Sequence, residues 1–335
     1  MTNKAPGTVA RSKGIGGSEV GTLCGLNKYR TPYELYLLKR KQLPEDNTDD
    51  ERRRFGRRLE KPIADEFAFR TGRPIKRAPH TFRHPLHRHL LANVDRLQWR
   101  NGEPGVYEGK NVDWHLRRTW TDGGVPEVYY LQLQHYLLVT GYNYGSFGVL
   151  FGGNEFHSFD VERDQSTIDQ LLALEMDFWQ RVQEGRPPDF SFGEAGAALV
   201  KRMYALAIPK TSIILDTPEA EGKLRRLFQL KGAIKAREAE LLDLESWIKL
   251  QMGTADHGVF PGVAKIGWGN VPRRYVDLER LRKEHATLVA KYEEERISRR
   301  FTVTNLTDDP VPEDVDTDSP PIIITTGVRQ IELPD

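Results

Sequence analysis

The segment from Leu91 to Lys110 constrains this chain more than any other. Leu91-Ala92-Asn93-Val94-Asp95-Arg96-Leu97 and Tyr107-Glu108-Gly109-Lys110 each read as a strand, and Arg100-Asn101-Gly102-Glu103-Pro104-Gly105 between them is rich in turn formers. The two therefore form a β-hairpin or lie as near neighbours in one sheet. Side chains alternate faces along a strand, so Glu108 and Lys110 share a face. If Asp95 points to that face from the adjacent strand, two carboxylates and an ammonium converge. Carboxylates hold hard divalent cations such as Mg²⁺, and a nearby lysine orients or deprotonates a metal-bound water. Such a set can hydrolyse a phosphodiester.

The bare spacing D-x12-E-x-K is equally compatible with a solvated hairpin edge. Its company narrows the reading. Gly109 is unusual in a strand interior and often marks the close approach of another group. Upstream, Phe55, Leu59, Ile63 and Phe67 recur every four residues, predicting one buried helical face. Glu60 lies next to that face and either points inward beside the sheet or is an ordinary boundary glutamate. Arg52, Arg53, Arg54, Arg57, Arg58 and Lys61 crowd the same segment, as a solvated helix face or a phosphate-binding surface.

Several short motifs occur in one order: Gly14-Ile15-Gly16-Gly17-Ser18-Glu19-Val20, Thr31-Pro32-Tyr33-Glu34-Leu35, Gly56-x-x-Leu59-Glu60, Asn93-Val94-Asp95, Glu108-Gly109-Lys110, Tyr130-Leu131-Gln132-Leu133-Gln134-His135 and Gly152-Gly153-Asn154-Glu155-Phe156. Over roughly residues 11 to 190 this ordered set resembles the YqaJ-type viral recombinase family, relatives of lambda exonuclease within the PD-(D/E)XK nucleases. The resemblance implies Asp95 and Glu108 as metal ligands, with the Gly109 carbonyl a third, and Lys110 as the catalytic lysine. It implies that Glu60 acts on the metal site through water or a second ion, that Gln132 is the active-site helix glutamine, and that Arg11 and Ser18 hold a 5′-phosphate. Arg54 and Arg57 join them as substrate-binding candidates. Two positions depart from the family pattern: Val94 replaces the usual proline, and Gly109 is the middle residue of E-x-K. Neither removes a ligand.

With 335 residues, 38% hydrophobic and 29% charged, the chain can bury a sizeable core. The expected fold is α/β, a restriction-endonuclease-like core whose central mixed β-sheet is flanked by helices. Residues 1–10 read as disordered, 11–200 as the nuclease domain, 201–304 as a coiled-coil and small α+β module, and 305–335 as an acidic disordered tail. Ser18 reads as the N-cap of a short helix whose glycine-rich approach suits an anion, with no strand before it. Helices are expected from Thr31-Pro32 to about Lys41, through Glu60 to Thr71-Gly72, from Pro126 to Thr140 and from Ser166 to Glu184. Strands are expected at Tyr144–Phe151 and Glu155–Val161, with 111–124 irregular. Leu227, Leu230, Ile234, Leu241, Leu244 and Ile248 follow a heptad and predict a coiled-coil seam closed by Gly253. A strand near Val263–Trp268, a helix across Leu278–Tyr292 and a strand at Arg300–Thr304 should follow.

Net charge is +1, which argues against a wholesale nucleic-acid coat. No apolar run is long enough to span a membrane and no signal peptide is evident, so a cytoplasmic location is expected. The single cysteine, Cys24, reads as a core thiol. His80, His84, His87 and His89 lack helical ligand spacing and thiolate company, and read as a polar loop rather than a zinc site. His135 either touches substrate or is a polar residue on a helix face.

The expected activity is a Mg²⁺-dependent DNA exonuclease (Mn²⁺ a substitute), with 5′-to-3′ polarity on linear duplex resting on the resemblance alone. Its expected partners are DNA with a 5′-phosphorylated end, a single-strand annealing protein and further copies of the chain. The alternatives are an endonuclease or single-strand exonuclease on the same fold, and a non-catalytic DNA-binding adaptor.

Overall fold

The computed structural model describes residues 13–44, 51–208 and 211–304. Arg11, the 1–10 segment and the acidic tail from 305 lie outside the described residues. The chain divides into two compact units at Tyr204 and Ala205.

The first unit begins with β1 (Ile15–Gly16) and α1 (Gly17–Leu23). A strand thus does precede the glycine-rich helix start, contrary to expectation. The N-cap is Gly16 rather than Ser18, and Glu19 at the third helical position accepts the Gly16 amide at 3.0 Å. Thr31 caps α2 (Pro32–Lys39), accepting the Glu34 amide with proline at the first helical position. In α3 (Glu51–Thr71) only the C-terminal half of the expected apolar face is covered: Ile63, Ala64 and Phe67 are buried while Phe55 is exposed.

Next come β2 (Ile75–Arg77), β3 (Phe82–Arg83), β4 (Leu90–Ala92), β5 (Arg96–Arg100) and β6 (Glu103–Val112). Asn101 and Gly102, at φ 53° and 84°, close the β5–β6 hairpin, as an Asn-Gly pair does when both central residues must be left-handed. The 91–97 stretch, expected as one strand, is two. β4 sits in a three-stranded sheet of order β1-β4-β3, whereas β5 belongs to a five-stranded sheet of order β2-β5-β6-β7-β8. Asn93-Val94-Asp95 is the crossing between them, and side chains there escape the strict alternation of a strand.

The stretch after β6 is ordered: a short 3₁₀ turn leads into α4 (Arg117–Thr121), which buries Trp120. α5 (Glu127–Thr140) ends on Gly141 at φ 76°, and β7 (Tyr144–Phe151), β8 (Glu155–Glu162), α6 (Gln165–Glu184) and an unanticipated α7 (Glu194–Met203) complete the unit. β6 and β7 pair in parallel and the other neighbours antiparallel, so the central sheet is mixed. Helix α5 carries the main core, with Leu133 and Leu137 fully buried among Val106, Phe147 and Val149, while α3 packs Ile63 and Phe67 against Tyr107 on the opposite face.

The second unit holds α8 (Pro218–Met252), the antiparallel pair β9 (His257–Phe260) and β10 (Ala264–Gly267), and short helices α9 (Leu278–Glu284) and α10 (Ala286–Val289). The heptad segment forms one helix, but Leu230, Ile234, Leu241, Leu244 and Ile248 are exposed and no described helix packs along them. A coiled coil is therefore absent among the described residues, because a single chain supplies one strand of it. The expected strand at 300–304 is not formed, and 278–292 is two short helices. No described helix is long and apolar enough to cross a membrane.

Candidate active site

Glu108 and Lys110 project from the centre of β6 toward α5, where Gln132 meets both. Lys110 Nζ donates to Glu108 Oε1 at 2.9 Å and to Gln132 Oε1 at 3.2 Å. Gln132 Nε2 donates to Glu108 Oε1 at 2.8 Å and lies 2.9 Å from the Tyr136 hydroxyl. The Tyr129 ring covers the ammonium, 5.0 Å from its centroid. Tyr129, Gln132 and Tyr136 occupy one helical face at spacings of three and four. Of these the sequence reading picked out Gln132 and missed the two tyrosines, although the spacing carried the signal.

Asp95 lies at the register position opposite Glu108, one residue beyond the last pair Arg96–Tyr107. Its Oδ2 accepts the Gly109 amide at 2.9 Å. Amide and carbonyl of one strand residue point to the same edge, and β5 ends before it can use the Gly109 carbonyl. A Cβ on Gly109 would meet Tyr107, Asp95 and Ile63 at 3.5–3.8 Å, ordinary contact distances. Close approach therefore does not explain Gly109; it explains Gly148 on β7, where a Cβ would collide with the Tyr107 hydroxyl.

Burial and the Glu108 carboxylate push the Asp95 pKa well above the usual carboxylate range, against the opposing pull of the Gly109 amide and Lys110. Burial alone would lower the Lys110 pKa, but attraction and hydrogen bonding from Glu108, with Asp95 behind it, hold it above its ordinary value. That shift favours the ammonium form, which suits Lys110 to orienting a water or neutralising charge. Glu60 is solvent-exposed on α3, yet desolvation and Glu108 raise its pKa, opposed by Arg96, Arg57 and Arg77.

A cavity of about 250 Å³ opens over this cluster, lined by Gly16, Gly17, Ser18, Glu19, Asn93, Glu108, Lys110 and Gln132 among others. Ser18 therefore does share the site. The glycine-rich approach is explained by packing: a Cβ on Gly14 would collide with the His89 carbonyl, and one on Gly17 would lie 2.5 Å from the Tyr136 ring. Glu19 forms a buried ion pair with Lys39 at 2.6 Å, and Lys39 also donates to the Gly14 carbonyl. With the Gly16 amide already satisfied by Glu19, this turn is less free for an anion than expected. Arg54 and Arg57 are exposed on α3, and Arg54 pairs with Glu51 at 3.6 Å.

The donor set fits a small hard cation. Glu108 Oε2 is buried with no hydrogen-bond partner, and Asp95 and Glu108 concentrate negative charge that a divalent ion would offset. No group of three His, Cys, Asp or Glu residues forms a ready-made cage among the described residues. The remaining set, Asp95, Glu108 and the Gly109 carbonyl, suits Mg²⁺, which keeps several waters and uses one or two carboxylates.

Two other expectations resolve differently. His135 touches neither solvent nor the cavity: it is fully buried, Nδ1 2.7 Å from Glu175 and Nε2 3.0 Å from the Leu91 carbonyl. His84 accepts two backbone amides, and His89 stacks on Trp179 at 5.2 Å with its pKa lowered to about 4, chiefly by burial. These histidines belong to the packing of the loop before β4. Cys24 is half-buried at the end of α1, where burial and then Glu175 raise its pKa, the opposite of an activated thiolate.

Fold and site together define an α/β protein with a carboxylate–lysine–glutamine cluster on the central strand of a mixed sheet. Residues 8–143 match the YqaJ-like viral recombinase domain. The chain is 34% identical over 298 residues to a Bacillus subtilis (strain 168) protein described as "Uncharacterized protein YqaJ", covering 88% of this chain and 92% of that one. It belongs to the YqaJ-like viral recombinase family. Among solved structures it is similar to an alkaline exonuclease from Laribacter hongkongensis, with 17% identity, 59% of this chain, 96% of that chain and a TM-score of 0.43. A phage-related exonuclease from Haemophilus somnus 129PT matches with 11% identity, 51% of this chain, 96% of that one and a TM-score of 0.35.

Proposed function

We propose that this chain is a Mg²⁺-dependent deoxyribonuclease of the PD-(D/E)XK type, an exonuclease that shortens one strand of linear duplex DNA from its 5′ end. The observation that carries the hydrolytic reading is the Asp95–Glu108–Lys110–Gln132 cluster with its buried, unsatisfied Glu108 oxygen. Membership in a recombinase family favours DNA as substrate. The 5′ polarity and the 3′ overhang product rest on the motif resemblance.

In this reading Asp95, Glu108 and the Gly109 carbonyl hold the ion. Bound there, Mg²⁺ or Mn²⁺ would polarise a phosphoryl oxygen and make a water more acidic. Lys110, fixed by Glu108, Gln132 and the Tyr129 ring, presents its ammonium protons to the attacking water or to developing negative charge. Gln132 keeps the lysine in place and is itself braced by Tyr136. Glu60 approaches the cluster from α3. Ser18, with Arg11, is proposed to hold the terminal phosphate, and an annealing protein to receive the product strand.

End-labelled linear duplex, with and without 5′-phosphate, in Mg²⁺ or EDTA, tests the proposal. Mg²⁺-dependent release of mononucleotides from the 5′ end is expected. Internal cuts in circular DNA would replace it with the endonuclease reading, and DNA binding without hydrolysis would favour the adaptor.

A further inference from the structure

Arg77 on β2 and Arg96 on β5 are direct cross-strand partners. Such partners share a sheet face with their Cβ atoms about 4.5–5.5 Å apart, and like charges placed there repel. Arg77 is exposed and Arg96 half-buried, and neither guanidinium has an ion pair or hydrogen bond to a described residue. The same face of the same sheet shows the usual remedy a short distance away. Arg73 makes two 2.7 Å bonds to Asp160, and Arg100 pairs with Glu162 at 2.7 Å. Two opposed arginines with no carboxylate in direct contact are therefore a local exception.

Their position gives the exception a meaning. Arg96 follows Asp95 in the chain and stands opposite Tyr107, one residue before Glu108. Their face is the one on which α3 packs, through Phe67 against Tyr107, and lies opposite the face from which Glu108 and Lys110 reach α5. α3 also supplies Glu60, whose carboxyl feels Arg96, Arg57 and Arg77 but is ion-paired to none of them. Arg77 and Arg96 thus act on one carboxylate at the margin of the acidic cluster, two positive charges to one negative. A guanidinium offers a planar fork of donors that matches phosphate oxygens, and two forks from adjacent strands can grip one group from two directions.

We propose that Arg77 and Arg96 form a phosphate clamp for the DNA strand, holding a backbone phosphate that flanks the one cleaved at Asp95 and Glu108. This rests on the reading of that cluster as a phosphodiester hydrolase. The clamp relieves the repulsion between the two arginines when DNA is bound and sets the strand's register over the site. It reads charge and spacing, with no base preference.

Binding of a fluorescent duplex in EDTA, so that no strand is cut, at several salt concentrations tests it. Each neutralised phosphate contributes about 0.9 to the slope of log affinity against log salt. Arg77→Gln with Arg96→Gln should therefore lower affinity about tenfold or more and flatten the slope by about 2. Melting temperature should be unchanged or higher, since a repulsion is removed. Arg77→Lys with Arg96→Lys, which keeps the charge, should restore most of the slope. Wild-type slope and affinity in the glutamine variant would overturn the clamp while leaving the hydrolase reading standing. Wild-type protein that neither binds nor cuts DNA would overturn both, and a lysine variant as impaired as the glutamine one would show that packing, not charge, was lost.

Discussion

Lys110 illustrates how one side chain serves two ends. It is the only cation hydrogen-bonded to the Glu108 carboxylate among the described residues, and it also faces the cavity where chemistry is proposed. Lys110→Ala should reduce cleavage by about a hundredfold or more, the range for a positioned proton-handling group. It should also lower metal-free stability, because Glu108 is left without its counter-charge. Added Mg²⁺ should recover much of that stability without recovering turnover. Wild-type turnover in the variant would remove Lys110 from the mechanism. The opposite sign is expected at Asp95. Its folded pKa lies above the ordinary carboxylate value, so ionising it at neutral pH costs the folded state stability, and the cost grows as pH rises from about 4 through the folded value. Asp95→Asn should therefore raise the metal-free melting temperature by about 2–4 °C for each kcal/mol relieved, and abolish the stabilisation by Mg²⁺. A melting temperature that falls in EDTA would contradict this assignment of strain.

Among the elements, α5 is the hub. One face presents Tyr129, Gln132 and Tyr136 to the site. His135, three residues beyond Gln132, ties α5 to α6 through Glu175 and to β4 through the Leu91 carbonyl. Both of its ring nitrogens face oxygen atoms, one of them a carboxylate, an arrangement that favours the doubly protonated ring. Burial alone would lower its pKa, but Glu175 and the Leu91 carbonyl raise it above the ordinary value. A raised histidine pKa stabilises fully below about 6.5 and loses that contribution as pH climbs through the folded value. Since β4 leads directly into Asn93-Val94-Asp95, loosening this tie should disturb the carboxylate geometry as well. Thermal unfolding of the wild type from pH 6 to 10 should show a decline on the alkaline side. Glu175→Gln should flatten that decline and destabilise by about 3–5 kcal/mol, the cost of breaking a buried ion pair. A variant with an unchanged alkaline slope would mean His135 is neutral.

At the scale of the molecule, every buried core side chain among the described residues lies between Ile15 and Leu199. The second unit holds its long helix with exposed pairs such as Arg225–Glu221 and Lys249–Glu245, which individually contribute little. A chain ending at Tyr204 should therefore retain one cooperative melting transition and Mg²⁺-dependent cleavage in bulk assays. Loss of cooperative melting would show that the second unit completes the fold. The row from Leu230 to Ile248 is an exposed apolar surface, and comparing the sedimentation of the full and shortened chains tests whether a second copy of the chain covers it.

The elements whose signals are local were legible from the residues. Thr31-Pro32 opens a helix because a hydroxyl and a fixed φ favour it, Asn101-Gly102 closes a hairpin because both residues tolerate left-handed angles, and Gly141 ends α5 for the same reason. Period two along β6 placed Glu108 and Lys110 together, and the ordered motifs pointed to Gln132. What the sequence by itself could not determine depends on partners distant in the chain. The break between β4 and β5 follows from two sheets competing for one segment. Gly14 and Gly17 owe their smallness to His89 and Tyr136, not to an anion. The buried partner of His135 is Glu175, 40 residues away. The unpaired seam of α8 is unpaired because amphipathic spacing records a need for a partner without supplying one. Local backbone preference is written residue by residue, whereas burial and electrostatic environment exist only once the chain has brought remote groups into contact.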